Sequence, residues 1–230
     1  MPVRHTLRMI NTVFFDLDGT LADTAPDLAG ALNALLVEEG KKPLDFVRIR
    51  PVVSHGGNAL LRLGFNVSEH DPGFDQLRKR FLDLYEACLH NSTTLFDGMD
   101  KLLDTLEEEQ FTWGVITNKP RWLTEPLMQQ LGLAHRTACI ISGDSTDHSK
   151  PHPAPMQLAN RTTKTRPVET LYIGDAKRDI EAGQAAGMHT LVAMYGYIGA
   201  DDMPENWGAD GMVSSPAEIM DWIHAFNKNS

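Results

Sequence analysis

The sequence predicts an α/β fold: a parallel sheet with helices on both faces, and a helical unit inserted after the first strand. Three observations predict it. Short apolar runs rich in Val and Ile recur without polar alternation, as in strands buried on both faces. Segments with helical spacing lie between them. One long interval after the first run, about ninety residues, shows helical patterns and no convincing strand. Together these describe a Rossmann-like, doubly wound core formed by residues 1–21 and 91–230, with a helical cap over 22–90.

The strand candidates are "TVFFDLD" (12–18), "FTWGVITN" (111–118), "TACIISGD" (137–144), "ETLYIGD" (169–175), "HTLVAMYG" (189–196) and "GMVSS" (211–215). Helical spacing joins Met99, Leu102, Leu103 and Leu106 over 99–109. It also joins Leu123, Leu127 and Leu131 before Gly132, residues 178–186 before Gly187, and Ile219, Ile223 and Phe226 over 216–226. Inside the long interval, Pro26 marks a helix start, with Asp23 or Thr24 as the cap. Leu28, Leu32, Leu35 and Leu36 follow before Gly40. A second stripe runs Phe74, Leu77, Phe81, Leu84, Tyr85, Cys88, and the polar stretch "HNSTTLFDG" (90–98) reads as a hinge.

Composition narrows the function. The chain has 230 residues, 42% hydrophobic and 23% charged, enough for a sizeable core. Lys+Arg 21 against Asp+Glu 31 gives a net charge of −10, which repels phosphodiester backbones and argues against a nucleic-acid partner. No apolar run approaches a membrane span, and the opening "MPVRHTLRMIN" lacks the apolar segment of a secretory signal. Cys88 and Cys139 read as core thiols rather than a disulfide, so a reducing, cytoplasmic setting is expected. A monomer and a homodimer both fit.

In an open parallel sheet, ligands bind beyond the carboxyl ends of the strands. Polar groups gather at four such ends: Asp16 and Asp18 after the first strand, Thr117, Asn118 and Lys119 after the second, Ser142 to Asp144 and then Lys150 after the third, and Asp175 to Asp179 after the fourth. Asp16 and Asp18 are two apart, so in extended chain their side chains share a direction. With Asp175 they make three hard oxygen ligands suited to Mg²⁺. Thr117, Asn118 and Lys150 suit the oxygens of a phosphoryl group. A carboxylate can attack phosphorus, and a second can move the proton.

These residues carry a resemblance. "DLDGTLADT" resembles the first signature of the haloacid dehalogenase-like phosphatases, "VITN" the second, Lys150 in "SKPHPAP" the third and "IGDAKRD" the fourth, in the family's order. The resemblance implies an α/β core with a cap after the first strand and a phosphomonoester hydrolase using Mg²⁺. It implies Asp16 as nucleophile and Asp18 as general acid/base, with Thr117, Lys150 and Asn118 at the phosphoryl group. It implies metal ligation by the Asp16 carboxylate, the Asp18 backbone carbonyl and Asp175, with Asp179 as an outer ligand or an orienter of Lys150. Lys119, Lys177 and Arg178 read as surface or ion-pairing residues.

The leaving group belongs to the cap, where "VVSHGGNALLRLGF" (52–65) offers His55, Gly56, Gly57, Asn58 and Arg62 as substrate readers, or else a plain helix entry. "WGVITNKP" and "SKPHPAP" resemble the phosphoglycolate phosphatases and, equally, the N-acetylmuramic acid 6-phosphate phosphatases. The first expectation is therefore a phosphoglycolate phosphatase-type enzyme on a small acidic phosphomonoester. N-acetylmuramic acid 6-phosphate hydrolysis and a β-phosphoglucomutase-like phosphotransfer are the alternatives. His152, between two prolines, would shape the loop around Lys150.

Overall fold

The computed structural model describes residues 9–229. The reading of the N-terminal segment lies, up to residue 8, outside the described residues. The strands are β1 Thr12–Phe15, β2 Ala22–Asp23, β3 Thr94–Leu95, β4 Thr112–Ile116, β5 Ile140–Ile141, β6 Thr170–Gly174, β7 His189–Ala193 and β8 Gly211–Val213. The helices are α1 Ala25–Glu38, α2 Phe46–Ile49, α3 Gly57–Phe65, α4 Phe74–Ala87, α5 Met99–Glu108, α6 Arg121–Gln130, α7 Ala154–Thr163, α8 Lys177–Ala185 and α9 Ala217–Asn229.

Among the described residues, six strands form one parallel sheet in the order β5-β4-β1-β6-β7-β8. β1 lies between β4 and β6, so three of the polar strand ends are neighbours. The apolar runs are buried on both faces, as their lack of alternation requires. Val13 and Phe15 face the packing that includes Leu103 of α5, Leu127 of α6 and Ile223 of α9. Phe14 faces the other layer, with Met156 of α7 and Ala182 of α8. This is the two-sided covering that strand–helix alternation predicts.

The predicted strands are shorter than their apolar runs. β1 ends at Phe15, before the acidic residues, and the run 137–144 contributes only Ile140–Ile141 to the sheet. The long interval is helical as expected, with α1 packed on α3 and α4. It is not free of strands. Ala22 pairs with Leu95 and Asp23 with Thr94, so a short antiparallel ribbon joins the helical insertion to the core. The stretch 90–98, read as a bare hinge, carries the second strand of that ribbon.

Asp23 does not cap α1. Its Oδ1 accepts the Tyr197 hydroxyl at 2.7 Å, and its Oδ2 lies 3.9 Å from Arg50. Thr24 holds the N-cap position, but its hydroxyl donates to Asp18 Oδ1 at 2.6 Å and makes no capping bond. Both cysteines are free. No described helix is long and apolar enough to cross a membrane.

Candidate active site

The chain leaves β1 directly into Asp16, whose side chain is buried. Its Oδ1 accepts the Leu17 amide at 2.7 Å and lies 2.9 Å from Lys150 Nζ. Lys150 is wholly buried, and its ammonium also sits 2.7 Å from Asp179 Oδ1. It donates to the Ile116 carbonyl at 3.0 Å and to the Tyr172 hydroxyl at 2.8 Å. The loop that delivers it is fixed by Asn118. That side chain donates to the Lys150 carbonyl at 2.9 Å and accepts its amide at 3.0 Å. The Asn118 amide is therefore engaged in positioning Lys150, although the residue also lines the cavity.

Asp175, at the end of β6, completes the acidic cluster. Carboxylate oxygens of Asp16, Asp175 and Asp179 all lie within 4.8 Å of one another. Burial, with the Asp16 and Asp179 charges behind it, pushes the Asp175 carboxyl up to about 7. Burial likewise pushes Asp16 up to about 6, against the pull of Lys150. The Lys150 ammonium and the Arg178 guanidinium together do not offset the burial of three carboxylates, since Asp16 and Asp175 both stay raised. The cluster therefore fits a hard divalent cation with oxygen ligands. The donor set differs from the first residue-level expectation. The Asp18 carboxylate does not join Asp16, because the strand ends at Phe15 and the two-residue period of extended chain no longer applies.

Asp18 turns instead toward the insertion. Its Oδ1 accepts Lys119 Nζ at 2.9 Å and the Thr24 hydroxyl. Burial pushes its carboxyl up, but the Lys119 ammonium and these hydrogen bonds outweigh that and hold it below the ordinary value. Lys119 is not a surface residue. It is buried, and its ammonium also donates to the Tyr85 hydroxyl of α4 at 2.8 Å. Burial lowers Lys119, yet Asp18 and Tyr85 raise it further. Thr117 is buried beside them, its hydroxyl oxygen accepting the Lys119 amide at 3.1 Å.

Close backbone approach shapes the floor. Gly19 has φ +86°, and a Cβ there would stand 2.2 Å from Asp175 Oδ2. At Gly174 a Cβ would stand 2.3 Å from Asp179 Cβ, so the strand must end in glycine for Asp179 to reach Lys150. The 3₁₀ helix Arg50–His55 closes the roof: Ser54 donates to Asp175 Oδ2, and Arg50 donates to the Gly196 carbonyl at 3.1 Å.

Between floor and roof lies a cavity of about 200 Å³, lined by Asp16, Asp18, Thr117, Asn118 and Lys119 from the core. Gly56, Gly57 and Asn58 line it from the insertion, together with an apolar wall of Leu28, Phe81, Leu82 and Leu123. Two expected readers are elsewhere. Arg62 is 2.7 Å from Glu69 on the exposed side of α3, and His55 lines a separate hollow against Asp175 and Tyr197. Lys177 pairs with Glu181 at 3.4 Å on the surface, whereas Arg178 lines the cavity. His152 is exposed, its Nδ1 accepting the Ala154 amide at 3.2 Å, in keeping with a loop-shaping role. Sequence reasoning missed Ser54, Arg78 and Tyr85 as site residues. Ser54 stands two positions before the glycine pair that was singled out. Arg78 and Tyr85 carry no local signal.

A doubly wound parallel sheet with a lysine-bridged carboxylate cluster at its C-terminal edge, roofed by a helical insertion after the first strand, defines a hydrolase fold of the phosphatase type. The chain belongs to the haloacid dehalogenase-like hydrolases, whose family model matches residues 13–193. It is 44% identical to N-acetylmuramic acid 6-phosphate phosphatase of Pseudomonas putida, over 91% of this chain and 94% of that one. It is 39% identical to phosphoglycolate phosphatase of Xanthomonas campestris, over 93% and 96%. The crystal structure of a predicted phosphoglycolate phosphatase from Haemophilus somnus superposes with TM-score 0.82 at 24% identity, covering 93% of this chain and 97% of that one; that likeness carries the fold.

Proposed function

We propose that the protein is a Mg²⁺-dependent phosphomonoester hydrolase that works through an aspartyl-phosphate on Asp16 and acts on a small acidic phosphomonoester. The observation that carries it is Asp16 itself. It is a buried carboxylate facing a cavity, 2.9 Å from a buried ammonium and within ligand distance of two further carboxylates. Mg²⁺, held by Asp16, Asp175 and the Asp18 carbonyl with Asp179 behind them, would supply the positive charge that lets an anion attack an anion.

In the first step an Asp16 oxygen forms the new bond to phosphorus while the bond to the leaving oxygen breaks. Thr117 and Lys150 hold the phosphoryl oxygens, and Asp18, which Lys119 favours as a carboxylate in the free protein, takes up a proton with the phosphomonoester and gives it to the leaving alkoxide. In the second step Asp18, now a carboxylate, takes a proton from water as that water attacks phosphorus. Asp16 is released with inorganic phosphate. Residues 22–90 serve as the cap that roofs the site, a reading supported by the ribbon where this segment leaves and rejoins the core. A cytoplasmic location accords with both cysteines being free.

Both 2-phosphoglycolate and N-acetylmuramic acid 6-phosphate carry a carboxylate beside the phosphate. The apolar wall of Leu28, Phe81, Leu82 and Leu123 favours the larger of the two, since a two-carbon acid has little apolar surface to bury. The test is Mg²⁺-dependent phosphate release over a panel of phosphomonoesters, with Asp16→Asn as the blank. Turnover by wild type and none by Asp16→Asn supports the reading; Mg²⁺-dependent turnover retained by Asp16→Asn overturns the nucleophile.

A further inference from the structure

The basic side chains around α3 and α4 differ in what they touch. Arg62 lies 2.7 Å from Glu69, Lys79 lies 2.8 Å from Asp83, and Arg80 forks onto Glu38 at 2.8 and 2.5 Å. Arg78 forms no ion pair with a carboxylate among the described residues. Its Nε donates to Asn58 Oδ1 at 3.1 Å, and both residues line the cavity over Asp16. Helical spacing explains the difference. Arg78 stands three and seven positions before Phe81 and Tyr85, on the face of α4 that looks into the cavity. Lys79 and Arg80 fall on other faces and find surface acids.

In a chain of net charge −10, an arginine on a cavity wall without a counter-ion is conspicuous. The other cations of this cavity have partners or face the acids. Lys119 is engaged by Asp18 and Tyr85, and Arg178 lies in the field of Asp179, Asp16 and Asp175. Arg78 is on the insertion, away from the acidic floor, and its guanidinium is steadied by an amide rather than neutralised by a carboxylate. Such a group suits an anion that arrives with the ligand. The phosphoryl group belongs to the floor, so the second anion is on the leaving group. A planar fork matches a carboxylate through two parallel hydrogen bonds.

We infer that Arg78, oriented by Asn58, binds a carboxylate on the substrate's leaving group, while Leu28, Phe81 and Leu82 pack the carbon body between that carboxylate and the phosphate. This inference rests on the phosphatase reading of the same cavity and specifies its substrate class as phosphomonoesters of carboxylic acids.

The experiment compares each acid with its own uncharged carboxamide: N-acetylmuramic acid 6-phosphate with its lactyl amide, and 2-phosphoglycolate with phosphoglycolamide. kcat and KM are measured for wild type, Arg78→Gln and Arg78→Lys, with p-nitrophenyl phosphate as an acid-free substrate. Wild type is expected to prefer at least one acid over its amide by about thirtyfold, the scale of a charge-assisted hydrogen-bonded pair. Arg78→Gln is expected to cut that preference about tenfold or more, chiefly through KM, with Arg78→Lys intermediate because it keeps the charge and loses the fork. An acid-to-amide ratio that is the same in Arg78→Gln as in wild type overturns the inference. So does a wild-type ratio near one, or release from p-nitrophenyl phosphate alone; in these cases the phosphatase reading stands. If wild type releases phosphate from none of the five, the phosphatase reading falls and this inference with it.

Discussion

Lys150 Nζ lies 2.9 Å from Asp16 Oδ1 and 2.7 Å from Asp179 Oδ1, with all three side chains buried. One ammonium thus orients Asp16, the proposed nucleophile, and restrains the neighbouring carboxylate. Removing it leaves two buried acids without that counter-charge. Lys150→Ala should lower stability by about 3–5 kcal/mol, the cost of breaking a buried pair. It should also lower kcat by far more than tenfold, because the same ammonium is the one assigned to the phosphoryl group. Denaturant unfolding and phosphate-release kinetics check the two effects separately. A loss of activity below about tenfold would exclude the phosphoryl-holding role.

The acidic cluster makes stability depend on pH in a direction that a metal should reverse. Asp175 is raised from 3.8 to about 7 and Asp16 to about 6 in the folded protein. In that window the folded chain binds more protons than the unfolded chain, so these groups favour folding at low pH. Their contribution is lost as pH rises from 3.8 through about 7. Mg²⁺ prefers the ionised carboxylates, so its stabilisation should grow over the same range. In EDTA the Tm should fall as pH is raised through neutrality, and excess Mg²⁺ should flatten the fall. Melting curves that Mg²⁺ leaves unmoved above neutral pH would rule out this cluster as the metal site.

How much of this was legible in the sequence depends on how local each signal is. β1 and its acids were legible because three buried residues, Val13 to Phe15, run without polar alternation into Asp16 and Asp18. The convergence of Thr117, Lys150 and Asp175 on Asp16 followed from strand–helix alternation, since a parallel sheet brings its strand ends to one edge. The direction of Asp18 was not legible. It depends on the strand ending one residue before Asp16 and on Lys119, about a hundred residues away, reaching back to it. The same holds for Ser54 on Asp175 and Arg50 on Gly196. These contacts exist only because the insertion folds over the edge, and no spacing within 50–55 announces it. Arg62 misled for a related reason: it lies close to the glycine pair in sequence, but the turn of α3 aims it at Glu69.

Lys119 ties Asp18, the proposed acid/base, to the roof, touching both Asp18 and Tyr85. Lys119→Met removes the cation that keeps the Asp18 carboxyl below its ordinary value, while the burial that raises it remains. The basic limb of the kcat/KM profile, set by loss of the proton that Asp18 donates in the first step, should therefore move to higher pH. Tyr85→Phe leaves the ion pair intact and should move that limb much less. A limb that stays in place in Lys119→Met would show that Asp18 does not set it.

Gly19 and Gly40 both have positive φ, +86° and +69°, but only Gly19 has a neighbour in the way. Alanine at either position bears the left-handed backbone cost, roughly 1–2 kcal/mol. At Gly40 nothing lies within 4 Å of the added Cβ. At Gly19 the Cβ would stand 2.2 Å from Asp175 Oδ2 and 2.8 Å from Tyr197 Cδ2, so the carboxylate must shift. Gly40→Ala should lower Tm modestly and leave the Mg²⁺-induced rise in Tm intact. Gly19→Ala should lower Tm further and abolish most of that rise, because the displaced group is a carboxylate of the proposed metal site. Equal Mg²⁺ responses in the two variants would mean that Asp175 is not needed to hold the ion. The comparison separates backbone strain, common to both, from damage to the cluster, confined to one.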